Sequence, residues 1–352
     1  MSANKKLRVV VATPLKDEHL ALIEEREPRL EIVKDDSLLP PMRWAADFSG
    51  DPHFQRSAKQ QQAYEALIDS AEVIYGLPDS SAAGLARAVR ANPGLRWVQL
   101  MAAGGGGQVK SAGLSREELD RVVFTTGAGP HAGPLAEFAL FGILAGAKDL
   151  VRLQAQQREK LWSGRWPMRE LDESTVLVLG LGHIGREVAA KASALGMRVI
   201  GTSRHPGVRI PGVDEIVDPG DLATVIGRVD AIVNTLPGTE ATAGLLSAEL
   251  LDAVHPGTTI VSVGRGTVID EEALVAALQR GQVGLAVLDV FATEPLPQNS
   301  PLWTLPNAIV SPHTAANSPK EERLIAELFA ENARLFLDGL PLHNVVDTVE
   351  FY

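Results

Sequence analysis

The chain reads as an α/β protein built on parallel sheets, and three observations carry that reading. Short apolar strand-like runs alternate with helix-like stretches from residue 175 to residue 311, one of those runs breaks into a Gly-x-Gly-x-x-Gly turn, and a separate set of apolar runs precedes residue 126. Alternation of this kind implies a parallel sheet with helices on both faces. Ligands of such sheets sit at the carboxyl ends of the strands, so residues there outrank others as site candidates.

In order along the chain, residues 7–13 (Leu-Arg-Val-Val-Val-Ala-Thr) have the composition of a buried first strand, 17–25 of the helix after it, and 32–34 of a second strand. Residues 35–56 lose periodicity, with Pro40, Pro41, Trp44, Phe48, Gly50 and Pro52. Two readings fit this stretch, an ordered excursion or a mobile flap, and long aperiodic loops are often functional. Helical composition returns over 60–69, while 71–76 and 95–101 read as strands, the second running into two alanines and the glycines Gly104, Gly105, Gly106 and Gly107. Backbone amides exposed in such a run can hold a carboxylate or phosphate; a flexible turn is the competing reading. Ser115 and Glu118 have capping-box spacing, so a short helix starts there. Residues 122–125 give one more strand, and the breaker-rich segment 126–134 marks a domain crossing.

Residues 135–150 read as one long helix with Phe138, Leu140, Phe141, Ile143 and Leu144 apolar on more than one face. Such a helix is buried in a core or in an oligomer interface, and the interface is the reading adopted here. Strand candidates beyond it are 175–179, 198–202, 215–217, 231–235, 259–263, 285–290 and 308–311. Helices fit over 187–195, 221–227 and 271–280, the first and last closing on Gly196 and Gly281.

With 352 residues, 45% of them hydrophobic, the chain can bury two domain cores, and its composition is that of a soluble globular protein. A net charge of −11 argues against nucleic acid and anionic membrane as partners, since both need clustered Lys and Arg. The absence of cysteine removes disulfides, thiol nucleophiles and thiolate-bound metals, and no metal site is expected. The apolar run that follows Lys5, Lys6 and Arg8 is too brief for a signal peptide, and no stretch approaches the length of a membrane span. These features fit a cytoplasmic protein.

The stretch 176–185, Val-Leu-Val-Leu-Gly-Leu-Gly-His-Ile-Gly, reads as a strand, a tight turn and a helix N-terminus, the arrangement that cradles a dinucleotide pyrophosphate. Gly180 allows the turn, Gly182 lets the backbone approach the phosphates, and Gly185 lets the helix pack closely on the strand. His183 and Ile184 complete the cradle. An acidic residue about twenty positions on would accept bonds from the adenosine ribose and repel a 2′-phosphate. That place holds Thr202, Ser203, Arg204 and His205, with no carboxylate. Ser203 can donate to a phosphate oxygen and Arg204 can pair with it as a charged fork, so NADP(H) is expected over NAD(H), which stays possible. His205 could add to the same contact.

Three strand-end residues supply chemistry. Arg265 follows a buried strand, where an unpaired guanidinium is costly unless it meets an anion; Glu294 and His313 follow two further strands. Brought together at the mouth of a nucleotide fold, they form an anion clamp, a carboxylate and a proton donor.

Through these residues the sequence resembles the D-isomer-specific 2-hydroxyacid dehydrogenase family. The motifs run in the family's order over residues 95–342: the strand entering Ala102, Ala103 and Gly104; Ala136 and Glu137; the Gly180 turn; Thr235, Leu236 and Pro237 with Thr242; Gly264, Arg265 and Gly266; the stretch 289–297; and Ser311, Pro312, His313 and Thr314. The resemblance implies two Rossmann-like or flavodoxin-like domains. Residues 1–126 with 315–352 would form a discontinuous substrate domain, interrupted by a dinucleotide-binding domain over 127–314, with the active site in the cleft and a homodimer built on the long helix. It further implies that Arg265 binds the substrate carboxylate and keto oxygen, that His313 is the acid/base, and that Glu294 pairs with the histidine and favours its charged form. Asp289 would hold the nicotinamide carboxamide, and Leu236 and Pro237 would lie along the adenosine. Thr242, Val263 and Gly264 would complete the cofactor site. The backbone of Ala103, Gly104 and Gly105 would receive the substrate carboxylate.

Some positions depart from the family's pattern. Ser262 stands where many relatives carry Asn, and Gly105, Gly106 and Gly107 where relatives usually carry bulkier residues, which predicts a mobile or roomy substrate loop. Met42, Trp44 and Phe48 could wall the cleft. The reaction implied is hydride transfer between NAD(P)H and a 2-oxo acid. A nucleotide-sensing protein of the corepressor type, which keeps this fold without turnover, is the alternative.

Overall fold

The computed structural model describes residues 6–204, 207 and 209–351, so His205 lies outside the described residues. The chain forms two compact units, Met1–His131 with Asn317–Tyr352, and Ala132–Ala316.

The first unit begins with a five-stranded sheet, β1 (Leu7–Val11), β2 (Leu30–Val33), β3 (Val73–Tyr75), β4 (Trp97–Gln99) and β5 (Val123–Thr125), in the spatial order 2-1-3-4-5 with every pair parallel. Parallel neighbours need crossovers, which α1 (Asp17–Arg26), α2 (Ala58–Asp69), α3 (Ala82–Ala91), α4 (Gly106–Ser111) and α5 (Arg116–Arg121) provide. Ser115 with Glu118 closes both bonds of a capping box, so α5 starts where the sequence places a cap; Ser57 with Gln60 does the same for α2, which starts at Ala58, ahead of the expected 60–69.

Residues 35–56 form an ordered excursion, not a flap. Ala46 N donates to Glu322 Oε1 at 2.9 Å, Asp47 takes two bonds from the Arg43 guanidinium at 2.7 and 3.0 Å, Thr13 Oγ1 donates to Phe48 O, and Arg56 Nε donates to Leu38 O at 2.6 Å.

In the second unit α6 (Ala132–Ala147) and α7 (Leu150–Glu159) lead into β6 (Thr175–Leu179), α8 (His183–Ala194), β7 (Arg198–Thr202), β8 (Glu215–Val217), β9 (Ala231–Asn234), α9 (Ala248–Ala253), β10 (Thr258–Ser262), α10 (Glu271–Gln279), β11 (Val283–Leu288) and β12 (Ala308–Val310). The seven strands are all parallel in the order 12-11-10-9-6-7-8. The order reverses beside β6, so the switch point where such sheets bind ligands lies at the end of the strand that carries the glycine turn. Both faces of the sheet are apolar: Val176, Val178, Val199, Val233 and Val261 enter one core, and Leu177, Leu179, Ile200, Ile232 and Ile260 the other. Burial on both sides explains why these strands read as continuous apolar runs.

The helix expected over 135–150 is α6, which ends at Ala147; Asp149, at φ 52°, separates it from α7. α6 lies directly on the sheet through glycine: a Cβ on Gly146 would stand 1.9 Å from Thr259 Oγ1, and one on Gly142 2.5 Å from Val261 Cγ2. Its other face leaves Phe141 and Leu144 exposed. The segment expected as a helix over 221–227 is two 3₁₀ turns, Pro219–Thr224 and Ile226–Arg228.

α11 (Glu321–Asp338) belongs to the first unit. Phe329 stacks on Trp97 at 4.9 Å and meets Tyr75 edge-on at 4.9 Å, and Phe336 stacks on Trp97 at 5.6 Å. Each such pair contributes about 0.5–1.5 kcal/mol beyond its buried area.

Candidate active site

The glycine turn after β6 has the geometry its spacing implies. Gly180 adopts φ 90°, a conformation that glycine enters without steric cost. A Cβ on Gly185 would lie 1.9 Å from Gly180 O, so only glycine lets α8 start this close to the strand. A Cβ on Gly182 would meet nothing within 4 Å. There is open space over the first turn of α8, where the unpaired N–H groups beside His183 and Ile184 and the helix dipole favour an anion. The residues therefore fit a dinucleotide pyrophosphate. Gly180 N donates to Thr202 Oγ1 at 2.8 Å, which ties the turn to the end of β7. Ser203 and Arg204 follow at once, Ser203 half-buried and Arg204 exposed.

A second frame surrounds Arg265. Asn234, fully buried at the end of β9, accepts from Leu236 N at 3.1 Å and donates to Ser262 Oγ at 3.0 Å and Arg265 O at 3.1 Å. Thr242 Oγ1 donates to Pro237 O at 2.6 Å and closes the turn that carries Leu236 and Pro237. Gly264 and Gly266 let backbones meet on either side of the arginine. A Cβ on Gly264 would stand 2.5 Å from Leu236 O, and one on Gly266 2.0 Å from the Phe291 carbonyl carbon.

Arg265 differs from its sequence expectation. Val263 and Gly264 are buried, but the arginine itself is exposed, so burial without a partner is not what constrains it. Its Nη1 donates to Gly264 O at 2.8 Å, and its other guanidinium N–H groups have no protein partner among the described residues.

Glu294 and His313 are brought together. His313 Nδ1 is 2.7 Å from Glu294 Oε2, and Phe291 N donates to Glu294 Oε1 at 3.0 Å. Beside them lies a mainly apolar cavity of about 420 Å³, with Phe291, Leu296, Trp303 and Val310 among its walls. Burial there pushes the Glu294 carboxyl up, but the His313 bond, the Phe291 amide and the positive charges of His313 and Arg265 outweigh it, and the group is held below its usual range. His313 sits at φ 53°, a strained conformation for a residue with a side chain, of the kind that collects at functional sites.

Asp289 explains how that conformation is held. It is buried, and its carboxylate accepts from Ser311 Oγ at 2.6 Å, Thr314 N at 2.9 Å and Ala315 N at 3.1 Å, bracketing His313 from both sides.

In the first unit, Ala102, Ala103 and Gly104 are exposed after β4, but Gly105 and Gly106 are buried and lead into α4. A Cβ on Gly105 would stand 2.8 Å from Leu100 Cδ1, so this part of the run is packed and not the roomy loop its composition predicts.

The model of the D-isomer specific 2-hydroxyacid dehydrogenase NAD binding domain matches residues 140–315. The chain belongs to the D-isomer specific 2-hydroxyacid dehydrogenase family. A glyoxylate/hydroxypyruvate reductase A of Serratia proteamaculans is 36% identical over 185 residues, 53% of this chain and 58% of that one, so less than two thirds of that relative's length is spanned. The reductase A of Yersinia enterocolitica is 34% identical over 62% of this chain and 68% of its own. Among solved structures, a family member from Xanthobacter autotrophicus in complex with NADPH and MES superposes with a TM-score of 0.78 at 29% identity, covering 99% of this chain and 100% of that one. An NADPH-dependent glyoxylate/hydroxypyruvate reductase from Sinorhizobium meliloti, in complex with NADP and sulfate, gives 0.75 at 26% identity, with 99% and 100% covered.

Two features of this family member escaped the sequence reading. Asn234 is a lone polar residue inside an apolar strand, where a pattern search sees only the strand. The buried pair His131 and Glu321, 2.8 Å apart, joins residues 190 positions apart in sequence, a pairing that only the fold reveals.

Proposed function

We propose that the protein is an NADP(H)-preferring reductase of 2-oxo acids, a D-2-hydroxyacid dehydrogenase in the reverse direction. The observation that carries the reading is the His313–Glu294 pair at 2.7 Å, with the charge of Arg265 reaching the same carboxylate. The cofactor assignment is supported by Ser203 and Arg204 at the end of β7, with no carboxylate among the described residues there, and by the relatives solved with NADPH or NADP.

A bound nicotinamide supplies the hydride. His313 keeps Nδ1–H on Glu294 and holds a second proton at Nε2, which it donates to the carbonyl oxygen as negative charge develops there. Ionised Glu294 favours the imidazolium that can make this donation. Arg265 offers its remaining N–H groups to the substrate carboxylate and the developing alkoxide. In the first unit we assign reception of an anion to the turn at Ala103, Gly104 and Gly105, through its backbone amides. Asp289, with its carboxylate committed to Ser311, Thr314 and Ala315, holds the histidine loop and offers its remaining lone pairs to a carboxamide.

The same reading makes the protein a homodimer of the reducing cytoplasm that binds no nucleic acid. Phe141 and Leu144 on α6, Leu153 on α7 and the fully exposed Trp162 supply an apolar surface for a second copy. NADPH oxidation, followed by the cofactor's absorbance with a panel of 2-oxo acids, tests the activity. Turnover that falls about 10²–10⁴-fold in His313→Ala is the expected result. Near-full turnover in that variant would remove His313 from the chemistry, and silence across the panel with tight NADPH binding would favour a sensor.

A further inference from the structure

We infer that the substrate's side chain enters a charge-balanced cavity of the first unit, so that the enzyme prefers 2-oxo acids with a bulky uncharged side chain and discriminates against a second anionic group. This rests on the proposed oxo-acid reduction and names its substrate class.

The cavity measures about 380 Å³ and reaches Ala102, which immediately precedes the residues Ala103, Gly104 and Gly105 assigned to reception of an anion. Trp44 and Phe48 of the 35–56 excursion form one part of its wall, and Leu77 and Met101 another. Ser80 and Gln108 also line it, and neither side chain makes a hydrogen bond among the described residues. The volume is in the range of sites that enclose whole ligands. A two-carbon oxo acid would leave most of it to water.

The wall is built, not incidental. Ser80 and its neighbour Asp79 both have positive φ, 47° and 51°, and the turn is held by Arg56 Nη1 on Asp79 Oδ1 at 2.6 Å and by Asp79 N on the Tyr64 hydroxyl at 3.2 Å. The excursion is held by Glu322, buried on α11, through Ala46 N. Trp44 is thereby fixed to an anchor at its second neighbour in sequence.

Charge decides the substrate class. Arg43 is the one arginine of the lining; it spends Nε and Nη2 on Asp47 and lies 4.1 Å from the centre of the Trp44 ring. The other basic group is His131. Its Nδ1 faces Gly127 O at 2.9 Å, so that nitrogen must carry a proton, and its Nε2 faces Glu321 Oε1 at 2.8 Å. A bond that short needs one proton between the two atoms, whichever of them holds it, so the His131–Glu321 pair is neutral as a unit. The Arg43–Asp47 pair is neutral as well. A phosphate or distal carboxylate entering this cavity would lose water and find no uncommitted cation. The remaining carboxylate oxygen, Glu321 Oε2, has no hydrogen-bond partner among the described residues, but its charge is balanced within the pair, so a distal ammonium would find no net negative charge there. An uncharged aliphatic or aromatic group would cover Trp44, Phe48, Leu77 and Met101 and displace water from them.

The test compares kcat/KM with NADPH for glyoxylate, phenylpyruvate, 2-oxoglutarate and phosphohydroxypyruvate, in the intact protein and in Gln108→Arg and Trp44→Ala. Phenylpyruvate is expected to exceed glyoxylate by about tenfold or more, and both doubly anionic acids to fall below glyoxylate by a similar factor. Gln108→Arg adds the missing cation and should raise the ratio of 2-oxoglutarate to glyoxylate by about tenfold, while Trp44→Ala should lower the ratio of phenylpyruvate to glyoxylate. Turnover that is highest with glyoxylate or with either doubly anionic acid would overturn the inference and leave the reductase reading standing. Absence of turnover with every acid would overturn the reductase reading itself, and the inference with it.

Discussion

Glu294 is the residue whose titration the geometry constrains most directly. Its carboxyl is held below the usual range once its bonds to His313 and Phe291 and the nearby positive charges outweigh its burial. A depressed carboxyl contributes its pairing in full above the unfolded-state pKa and loses it as pH falls through the folded value. The acid limb of kcat/KM for oxo-acid reduction is therefore expected below the pH at which an ordinary glutamate titrates, and Glu294→Gln should lack that limb. An acid limb unchanged in Glu294→Gln would assign it to another group. Arg204 carries the cofactor prediction: a ratio of kcat/KM favouring NADPH over NADH, falling about tenfold or more in Arg204→Glu, since a carboxylate repels the 2′-phosphate. A native preference for NADH by tenfold would refute the assignment of Ser203 and Arg204.

At the scale of elements, two glycines of the second unit should separate stability from binding. Gly266→Ala would place a Cβ 2.0 Å from the Phe291 carbonyl carbon, backbone against backbone, with no flexible side chain to give way. The expected cost is about 1–3 kcal/mol, read as a lower melting temperature. Gly182→Ala meets nothing within 4 Å, so its melting temperature without cofactor should stay near that of the parent while affinity for NADPH falls. Equal effects of the two on both measurements would contradict the separation. The inner strands of this unit were legible because a parallel strand buried on both faces is an apolar run: β6 and β7 have the bounds their residues suggest. The helices were less so. α8 starts at His183, before the helical pattern is visible, because the glycine turn hides its first turn. α3, α4, α7, α9 and α11 went unread: α4 and α9 are only six residues long, and α11 follows the last strand, where no alternation signals it. The glycines, Arg265, Glu294 and His313 could be picked out because each follows a strand. Asn234 and the His131–Glu321 pair could not, since their meaning lies in partners that are distant in sequence.

At the scale of the whole molecule, a net charge of −11 gives two copies a mutual repulsion that an apolar surface must overcome. Exposed Phe141, Leu144, Leu153 and Trp162 supply such a surface, and sedimentation at micromolar concentration should find a dimer that Phe141→Glu with Leu144→Glu converts to monomer. A parent chain that sediments as a monomer would retire the proposal. The backbone contacts at Gly185, Gly264 and Gly266 have a consequence for descent. Where main chain touches main chain, natural variation has almost no neutral steps to take, so this backbone frame would drift only slowly. Part of the lining of the other unit's cavity, Trp44 and Phe48 among it, stands on an anchored excursion, where single replacements change shape or charge without breaking a backbone contact. New acids would then be acquired by a lineage through changes in that wall, each reachable by one substitution, under a chemistry inherited intact.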